Sequence, residues 1–291
     1  MEVLIWNSEW EKRGGKCMIK VSNVEIKQDQ FPDGTLLMKF DPNEDVFDNY
    51  GNILIEWYYE NDAELFSLIC VKRHLDRVYS YSDIVLKMPY IPHARMDRVE
   101  NDADVFTLKY FCEVINSLNF KVIYVRDAHS NVSLALLNNV VDEGVRSYII
   151  AAAEKSGTEA LFFPDEGATK RYFKYFDIPY AFGIKKRDWE TGKILGLDII
   201  NAENIKDKNI LIVDDICSRG GTFYHSAKAL KAAGAKSINL YVTHCEETIT
   251  LGEMAASNGL VDHVYTTRSI FPEKLIKSYD SYWKNWITIL D

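Results

Sequence analysis

Two adjacent aspartates, Asp214 and Asp215, follow an apolar run in the segment ILIVDDICSRGGT, residues 210–222. The apolar run is typical of a buried strand, and ligands of open α/β sheets bind at the carboxyl ends of such strands. Gly220 and Gly221 permit positive φ and let an anion approach the backbone N–H groups closely. The helix expected to follow adds its positive dipole end. The segment therefore predicts a phosphate cradle with a carboxylate pair beside it.

The carboxylate pair extends what a phosphate cradle alone could bind. Adjacent carboxylates can accept hydrogen bonds from sugar hydroxyls, or can hold Mg²⁺, which prefers oxygen ligands. The competing interpretation is an ordinary strand-to-helix turn whose aspartates cap the helix. A phosphorylated sugar and a magnesium ion are therefore the ligands that this segment favours.

The segment VDDICSRGGT resembles a family signature. It is similar to the binding motif for phosphoribosyl pyrophosphate (PRPP) in type I phosphoribosyltransferases and in ribose-phosphate pyrophosphokinases, which are also called PRPP synthetases. The resemblance implies that the two acids face the ribose hydroxyls and that the loop holds the 5-phosphate. On that basis the ribose-phosphate site comprises Asp214, Asp215, Ser218, Arg219, Gly220, Gly221 and Thr222.

Two further segments of the second half resemble the pyrophosphokinases specifically. AFGIKKR, residues 181–187, is similar to the stretch that begins their catalytic loop, and it assigns to Lys185 and Arg187 the cations that close over the reacting diphosphate. We expect residues 183–197 to close as a loop and exclude water from the reaction. LFFPDEGATKR resembles the family's PD-x-GG segment, which places Asp165 near the ribose and the metal.

Two segments of the first half resemble the family's ATP site. MPYIPHARMDR is similar to PY-x-x-x-ARQDR, and the resemblance implies that Arg95, Asp97 and Arg98 contact ATP. FPDG resembles FSDGE, the loop that a neighbouring subunit uses to sandwich adenine. Phe31 and Asp33 would then serve the ATP of another protomer, which implies a homo-oligomer, either a dimer or a hexamer.

The implied metal is magnesium. VIYVRDAHS resembles the family's VDLHA turn, whose histidine helps to bind the metal, so that His129 becomes a Mg²⁺-site residue and Asp127 its support. Asp165 completes the implied set of metal residues.

The resemblance as a whole implies an enzyme, a magnesium-dependent diphosphotransferase. It would move the β,γ-diphosphate of ATP to the anomeric hydroxyl of ribose 5-phosphate and give PRPP and AMP. A phosphoribosyltransferase that consumes PRPP, and a catalytically silent regulatory relative that only binds nucleotides, are the alternatives from other classes. Retention of the catalytic cations and the paired acids favours the active pyrophosphokinase.

Several positions depart from the family's pattern. Thr35, Met96 and Ala168 stand where the family has glutamate, glutamine and a second glycine. Ser218 and Arg219 replace the usual Asp-Thr pair, which adds a cation and removes an anion where the 5-phosphate binds. More negative charge on the substrate would suit that change, so ADP-ribose is the alternative acceptor, in a route that rebuilds NAD.

The elements that position these residues follow from hydrophobic periodicity. Apolar runs predict buried parallel strands at residues 84–88, 121–125, 160–163, 210–213, 238–243 and 263–267, and WITILD predicts a final strand. Helical spacing predicts helices at residues 105–119, 145–155 and 223–233. The turn at FPDG and the aromatic run at residues 55–59 predict antiparallel strands at a sheet edge.

Alternation of strands and helices predicts an α/β fold with mainly parallel sheets. The resemblance makes this two tandem type I phosphoribosyltransferase-like, or Rossmann-like, domains. The polar stretch at residues 138–144 separates two series of elements. We therefore expect an N-terminal domain at 1–142 with the ATP-site elements, and a C-terminal domain at 143–291 with the cradle and the catalytic loop.

Composition limits the partners. The chain has 291 residues, 47% of them apolar, and a net charge of −9, which disfavours a general nucleic-acid surface because phosphate-backbone binding needs a concentrated basic face. Its five cysteines form no CxxC pair, which favours reduced thiols. No run reaches membrane-spanning length and no signal segment is evident. We therefore expect a cytoplasmic protein that has no nucleic-acid or membrane partner.

Overall fold

The chain forms two compact α/β units, Met1–Glu143 and Gly144–Asp291. The computed structural model describes residues 19–22, 24–41, 45–48, 51–187, 194–256, 259–272, 275 and 283–290. In both units helices alternate with the strands of a mainly parallel sheet, which confirms the predicted fold class. None of the helices in these residues is long and apolar enough to cross a membrane.

The first unit is built on a six-stranded sheet in the order β2-β1-β5-β6-β7-β8, with a separate hairpin of β3 and β4. Strands β5 to β8 run parallel, whereas β1 pairs antiparallel with β2 and with β5. The elements are β1 (Ile19–Val21), β2 (Val24–Glu25), β3 (Lys27–Gln30), β4 (Leu36–Lys39), β5 (Ile53–Trp57), α1 (Ala63–Val78), β6 (Ile84–Lys87), α2 (Thr107–Ser117), β7 (Ile123–Arg126), α3 (Asn131–Leu136) and β8 (Val140–Glu143).

The predictions for the first unit are confirmed for β6, β7 and α2, within a few residues at each end. The predicted antiparallel edge near residues 55–59 is correct only in part. Strand β5 does pair antiparallel with β1, but its other neighbour is the parallel strand β6. Ile53, Ile55 and Trp57 are fully buried, as the core face of an inner strand requires. The polar stretch at residues 138–144 contains strand β8 and is not a plain linker.

The second unit is built on a seven-stranded sheet in the order β11-β10-β9-β12-β13-β14-β15. All neighbouring strands are parallel except the antiparallel pair β10–β11. The elements are α4 (Arg146–Ser156), β9 (Ala160–Phe163), α5 (Glu166–Tyr172), β10 (Tyr180–Arg187), β11 (Ile194–Ile200), β12 (Asn209–Cys217), α6 (Gly221–Ala232), β13 (Ser237–Cys245), α7 (Glu253–Ala256), β14 (His263–Thr267), α8 (Trp283–Trp286) and β15 (Ile287–Leu290).

Strand β9 shows why this sheet is parallel and central. All four of its residues are buried, because successive side chains enter two different cores. Ala160 and Phe162 belong to the core that includes Leu230 of α6, whereas the alternate residue Leu161 belongs to the core that includes Ile149 of α4. An apolar run without alternation is what a strand covered by helices on both faces requires. The polar side chains lie beyond this buried region, at the carboxyl ends of β9 and β12.

Candidate functional site

The predicted cradle lies where β12 passes into α6. Ser218 and Arg219 form the bend after the strand, and the helix begins at Gly221. Gly220 has φ +79°, a left-handed conformation that side chains rarely adopt, and a Cβ there would lie 3.2 Å from the sulfur of Met254. The backbone thus turns sharply beneath the helix N-terminus, where N–H groups can meet an anion.

Gly252 supports this turn, although it stands in no local sequence motif. A Cβ atom at position 252 would lie 1.7 Å from the carbonyl oxygen of Arg219 and 2.7 Å from its carbonyl carbon. Since real Cβ atoms do not approach other atoms that closely, the position tolerates only glycine while Arg219 stays in place. The backbone just before α7 therefore packs directly against the turn that forms the cradle.

The paired acids lie at the end of β12 and are tied into the protein by hydrogen bonds. The N–H of Asp215 donates to Asp214 Oδ1 at 3.0 Å, and the N–H of Ile216 donates to Asp215 Oδ1 at 2.9 Å. Arg171, on α5, donates from Nη1 to Asp215 Oδ2 at 3.0 Å. Arg171 lies in the LFFPDEGATKR segment, but the resemblance of that segment implies no role for it.

Asp165 lies near the paired acids because β9 and β12 are neighbouring parallel strands. It is the N-cap of α5 and accepts a hydrogen bond from the N–H of Ala168 at 3.1 Å. The pKa of Asp214 is raised well above its usual value, first by burial and then by the negative charges of Asp215 and Asp165. The structure therefore brings together three of the predicted acids, with Arg171 as a cation beside them.

Lys185 and Arg187 lie on strand β10, whereas the family resemblance predicts that this stretch begins a loop. Their backbones pair with those of Leu197 and Ile194 on β11, with a register shift between Lys186 and Arg187. The middle of the predicted closing loop, residues 188–193, lies outside the described residues.

Gly183 explains how β10 comes close to the acidic site. A Cβ at position 183 would lie 2.8 Å from the carbonyl oxygen of Pro164, which precedes Asp165, and equally close to Leu197. Glycine therefore allows the strand that carries the two predicted cations to pack closely against the end of β9.

In the first unit, the tip of the β3–β4 hairpin holds Phe31 and Asp33. Phe31 is half exposed, and its N–H donates to the carbonyl of Thr35 at 2.9 Å. Asp33 Oδ1 accepts from the Thr35 hydroxyl at 2.7 Å and from the Thr35 N–H at 3.0 Å, and these bonds lower the pKa of Asp33. Thr35, a departure from the family's glutamate, thus fixes the shape of the tip.

The segment with Arg95, Asp97 and Arg98 follows β6. Arg95 and Arg98 are exposed, and Arg98 Nε lies 2.8 Å from Glu100 Oε1. These residues could therefore meet a polyanion at the surface.

Sequence reasoning missed the anchor of this segment. His93 has φ +62°, and its Nε2 lies 3.1 Å from Asp62 Oδ1. The same oxygen accepts a hydrogen bond from the Tyr59 hydroxyl at 2.9 Å. Asp62 therefore ties the arginine segment to the start of α1.

Asp127 and His129 follow β7, also in the first unit. Asp127 is buried and has φ +48°, a left-handed conformation that is uncommon outside glycine, and His129 is half buried. Asp165, the third predicted metal residue, belongs to the second unit. Within the described ranges, no group of three or more His, Cys, Asp or Glu side chains is placed to hold a metal ion. The magnesium assignment stays a prediction.

Sequence comparison shows which known proteins this chain resembles. The family model described as "Phosphoribosyl transferase domain" matches residues 168–263. The ribose-phosphate pyrophosphokinase of Thermococcus kodakarensis is 26% identical over 257 residues, covering 86% of this chain and 87% of the relative. The protein of the same name from Pyrococcus furiosus is 25% identical over 256 residues, with the same coverage. The similarity therefore spans both units.

A solved structure shows the same fold. The crystal structure of phosphoribosylpyrophosphate synthetase from Mycobacterium smegmatis matches with a TM-score of 0.70 and 17% sequence identity. The match covers 91% of this chain and 85% of that protein. At this identity the likeness concerns the fold alone.

Proposed function

We propose that this chain is a member of the ribose-phosphate pyrophosphokinase family, and that it transfers the β,γ-diphosphate of ATP to the anomeric hydroxyl of ribose 5-phosphate, giving PRPP and AMP. The observation that carries the proposal is the position of Asp214 and Asp215, near the carboxyl end of β12 and a few residues before the glycine turn into α6. A phosphate cradle and sugar-hydroxyl acceptors thus lie side by side. The curated relatives named for this activity support the choice of reaction.

The sugar phosphate is held by its two ends. The 5-phosphate accepts hydrogen bonds from the backbone N–H groups of residues 218–222 and gains from the positive end of the α6 dipole. The ribose hydroxyls donate to the carboxylates of Asp214 and Asp215. Binding at both ends fixes the anomeric hydroxyl in one direction, which is the main contribution that positioning can make to a two-substrate reaction.

The transfer step is an in-line displacement at the β-phosphorus of ATP. A bond forms between the anomeric oxygen and this phosphorus, the bond from the phosphorus to the oxygen bridging to the α-phosphate breaks, and the hydroxyl proton is released. Lys185 and Arg187 neutralise the negative charge that accumulates on the moving diphosphate. Removing one such contact costs on the order of 3 kcal/mol, or about a hundredfold in rate.

ATP is bound by the exposed arginine segment of the first unit and by a neighbouring subunit. Arg95, Asp97 and Arg98 contact the nucleotide of their own protomer, and Phe31 and Asp33 contact that of the neighbour. The half-exposed ring of Phe31 at a hairpin tip suits this second role, since it is presented outward. The protein would then act as a homo-oligomer, at least a dimer.

Four cysteines in the described residues are free, which suits the cytoplasmic location that we propose.

Magnesium fits the second unit's acidic site. Mg²⁺ is commonly bound by one or two carboxylates together with substrate phosphates, so a complete protein cage is not required. Burial and the neighbouring carboxylates of Asp215 and Asp165 raise the pKa of Asp214, and a cation would relieve the repulsion among the three acids. Within the second unit, Asp165 would hold the ion, whereas His129 and Asp127 stay predicted metal residues of the first unit. When bound, Mg²⁺ would neutralise charge on the triphosphate.

ADP-ribose is the second candidate acceptor. Arg219 is exposed at the end of the cradle that receives the 5-substituent, where the family has no cation. The 5-diphosphoryl group of ADP-ribose carries more negative charge than a 5-phosphate, so it would gain more from the positive charge of Arg219.

Product analysis tests the proposal. Purified protein is incubated with ATP and Mg²⁺, in parallel with ribose 5-phosphate and with ADP-ribose, and the products are identified by mass. We expect AMP together with a diphosphorylated ribose 5-phosphate, and neither product from an Asp214→Asn variant. Strong turnover of ADP-ribose alone would favour the second acceptor. AMP from neither acceptor would contradict the pyrophosphokinase and lead to the phosphoribosyltransferase or silent-relative alternative, which an assay with PRPP and nucleobases separates.

A further inference from the structure

Arg171 makes an ion pair with the acidic site that none of the motifs accounts for. Its Nη1 lies 3.0 Å from Asp215 Oδ2, and the Asp215 side chain is only 9% exposed, against 29% for Arg171. A charged hydrogen bond that is partly removed from water is stronger than one at the surface. The contact joins residues that are 44 positions apart in the sequence.

The ion pair fixes the orientation of the Asp215 carboxylate. Oδ2 accepts from Arg171, and Oδ1 accepts from the N–H of Ile216 at 2.9 Å. With both oxygens held by protein donors, rotation of the carboxylate would break at least one of these bonds. Asp214 is held differently, through Oδ1 and the backbone N–H of Asp215. The two acids therefore have different environments and different freedom to move.

Helix α5 carries Arg171 to this position. Asp165 caps the N-terminus of the helix, and Arg171 lies in its last turn. Side chains on a helix point back toward its N-terminus, so that Arg171 can extend toward the sheet ends from which the helix started. The adjacent residue Tyr172 is fully buried, and the Arg171 guanidinium lies 5.7 Å from the centre of its ring. Packing thus limits where the guanidinium can go.

We propose that Arg171 is a positioning residue for ribose binding. It holds Asp215 so that the two adjacent carboxylates present separate, fixed acceptors to neighbouring hydroxyls of the bound ribose. It also offsets part of the negative charge that Asp165, Asp214 and Asp215 bring together. Arg171 acts through Asp215 and not on the reacting phosphates. The identity of the ligand rests on the function proposed above.

The test measures the binding of ribose 5-phosphate directly, by calorimetry in Mg²⁺ buffer without ATP. Two neutral variants are used, Arg171→Gln and Arg171→Met, the second of which keeps the aliphatic stem that packs near Tyr172. We expect both to weaken binding by about tenfold to a hundredfold, the usual loss for one charged hydrogen bond. Arg171→Lys, which keeps the charge, should recover part of the affinity. The KM for ATP should change by less than about twofold.

Lys170→Gln is the matched control. Lys170 is the preceding residue on the same helix, and its ion pair with Glu166 is largely exposed, at 79% and 67%. The variant removes the same charge from the same helix without touching Asp215. It should bind ribose 5-phosphate as the wild type does.

A double-mutant cycle tests whether Arg171 acts through Asp215. Arg171→Gln combined with Asp215→Asn should bind no more weakly than Asp215→Asn alone. If the double variant lost affinity by the product of the two single losses, the two residues would act independently and the proposal would be overturned. Wild-type affinity in both neutral variants would overturn it too. Failure of both neutral variants to fold would assign Arg171 to stability and overturn it as well.

The same measurements separate this inference from the proposed function. Wild-type protein that binds ribose 5-phosphate without releasing AMP would remove the proposed reaction and leave the inference standing. Wild-type turnover with affinity unchanged in the Arg171 variants would remove only the inference. No binding by the wild type would remove both.

Discussion

Gly252 packs directly against the backbone of Arg219, because a Cβ at position 252 would lie 1.7 Å from the Arg219 carbonyl oxygen. Gly252→Ala must therefore displace the turn on which the proposed 5-phosphate site depends. We expect the KM for ribose 5-phosphate to rise at least about tenfold, a loss of roughly 1.4 kcal/mol of binding, while the KM for ATP changes little. Steady-state kinetics with each substrate varied in turn would measure this.

Gly144→Ala is the control for that substitution. A Cβ at position 144 would meet nothing within 4 Å, and the residue does not have positive φ. We expect wild-type kinetics. If Gly252→Ala also gave wild-type kinetics, the turn would not hold the sugar phosphate.

Lys185 and Arg187 are proposed to act on the moving diphosphate and not on the bound sugar. Lys185→Ala and Arg187→Ala should each lower the single-turnover rate about a hundredfold, since each removes one charge that stabilises the transition state. The affinity for ribose 5-phosphate should be unchanged. Lys186→Ala, at the position between them, is the matched control. Unaffected chemistry in both variants would contradict their catalytic role.

Asp62 ties the arginine segment to the start of α1, through His93 and the Tyr59 hydroxyl. Asp62→Ala should loosen that segment and raise the KM for ATP about threefold. The effect is modest because Asp62 is 68% exposed and exposed ion pairs contribute little, usually under about 1 kcal/mol. Asp83→Ala removes an exposed pair with Lys121 elsewhere in the same unit and should leave this KM unchanged. An equal rise in both variants would argue against a specific anchor.

We expect the stability of the second unit to depend on pH through His263. Burial lowers its pKa, and its Nε2 lies 2.8 Å from the Thr288 hydroxyl, across the β14–β15 pair. The unfolded chain therefore binds the proton more tightly than the folded chain. Neutral His263 therefore contributes to the free energy of unfolding above the unfolded-state pKa of about 6.5. This contribution is lost as the pH falls toward the lower pKa of the folded state.

Thermal unfolding measured between pH 8 and pH 5 tests this dependence. The melting temperature of the wild type should fall with pH, and His263→Gln should fall less over the same range. The same decline in both proteins would show that other groups cause it.

The sequence predicted the elements whose signal is local. Strand β9 and strand β14 occur at the predicted residues, and the turn before α6 lies at the predicted glycines. The helix itself begins at Gly221, two residues earlier than its apolar periodicity indicated, because the left-handed Gly220 already ends the loop. Strand β8 was missed because it is an edge strand whose residues, VVDE, are all at least partly exposed and show no core-facing alternation.

The supporting residues of the candidate site could not be predicted in this way. Arg171 meets Asp215, and Gly252 meets Arg219, only because separate strand–helix connections converge at one edge of the sheet. Neither residue stands in a local pattern that specifies its partner. Sequence motifs identified the residues proposed to contact ligands, whereas the residues that hold them in place depend on tertiary packing.

The fate of the β-phosphorus of ATP tests the central claim most directly. Protein is mixed with ATP, Mg²⁺ and ribose 5-phosphate, and the reaction is followed by ³¹P NMR. The account predicts that the signals of ATP are replaced by AMP and by two mutually coupled phosphorus signals of a diphosphate on the sugar's anomeric carbon. ADP with a singly phosphorylated anomeric position, or ADP with inorganic phosphate and unchanged sugar, would contradict it.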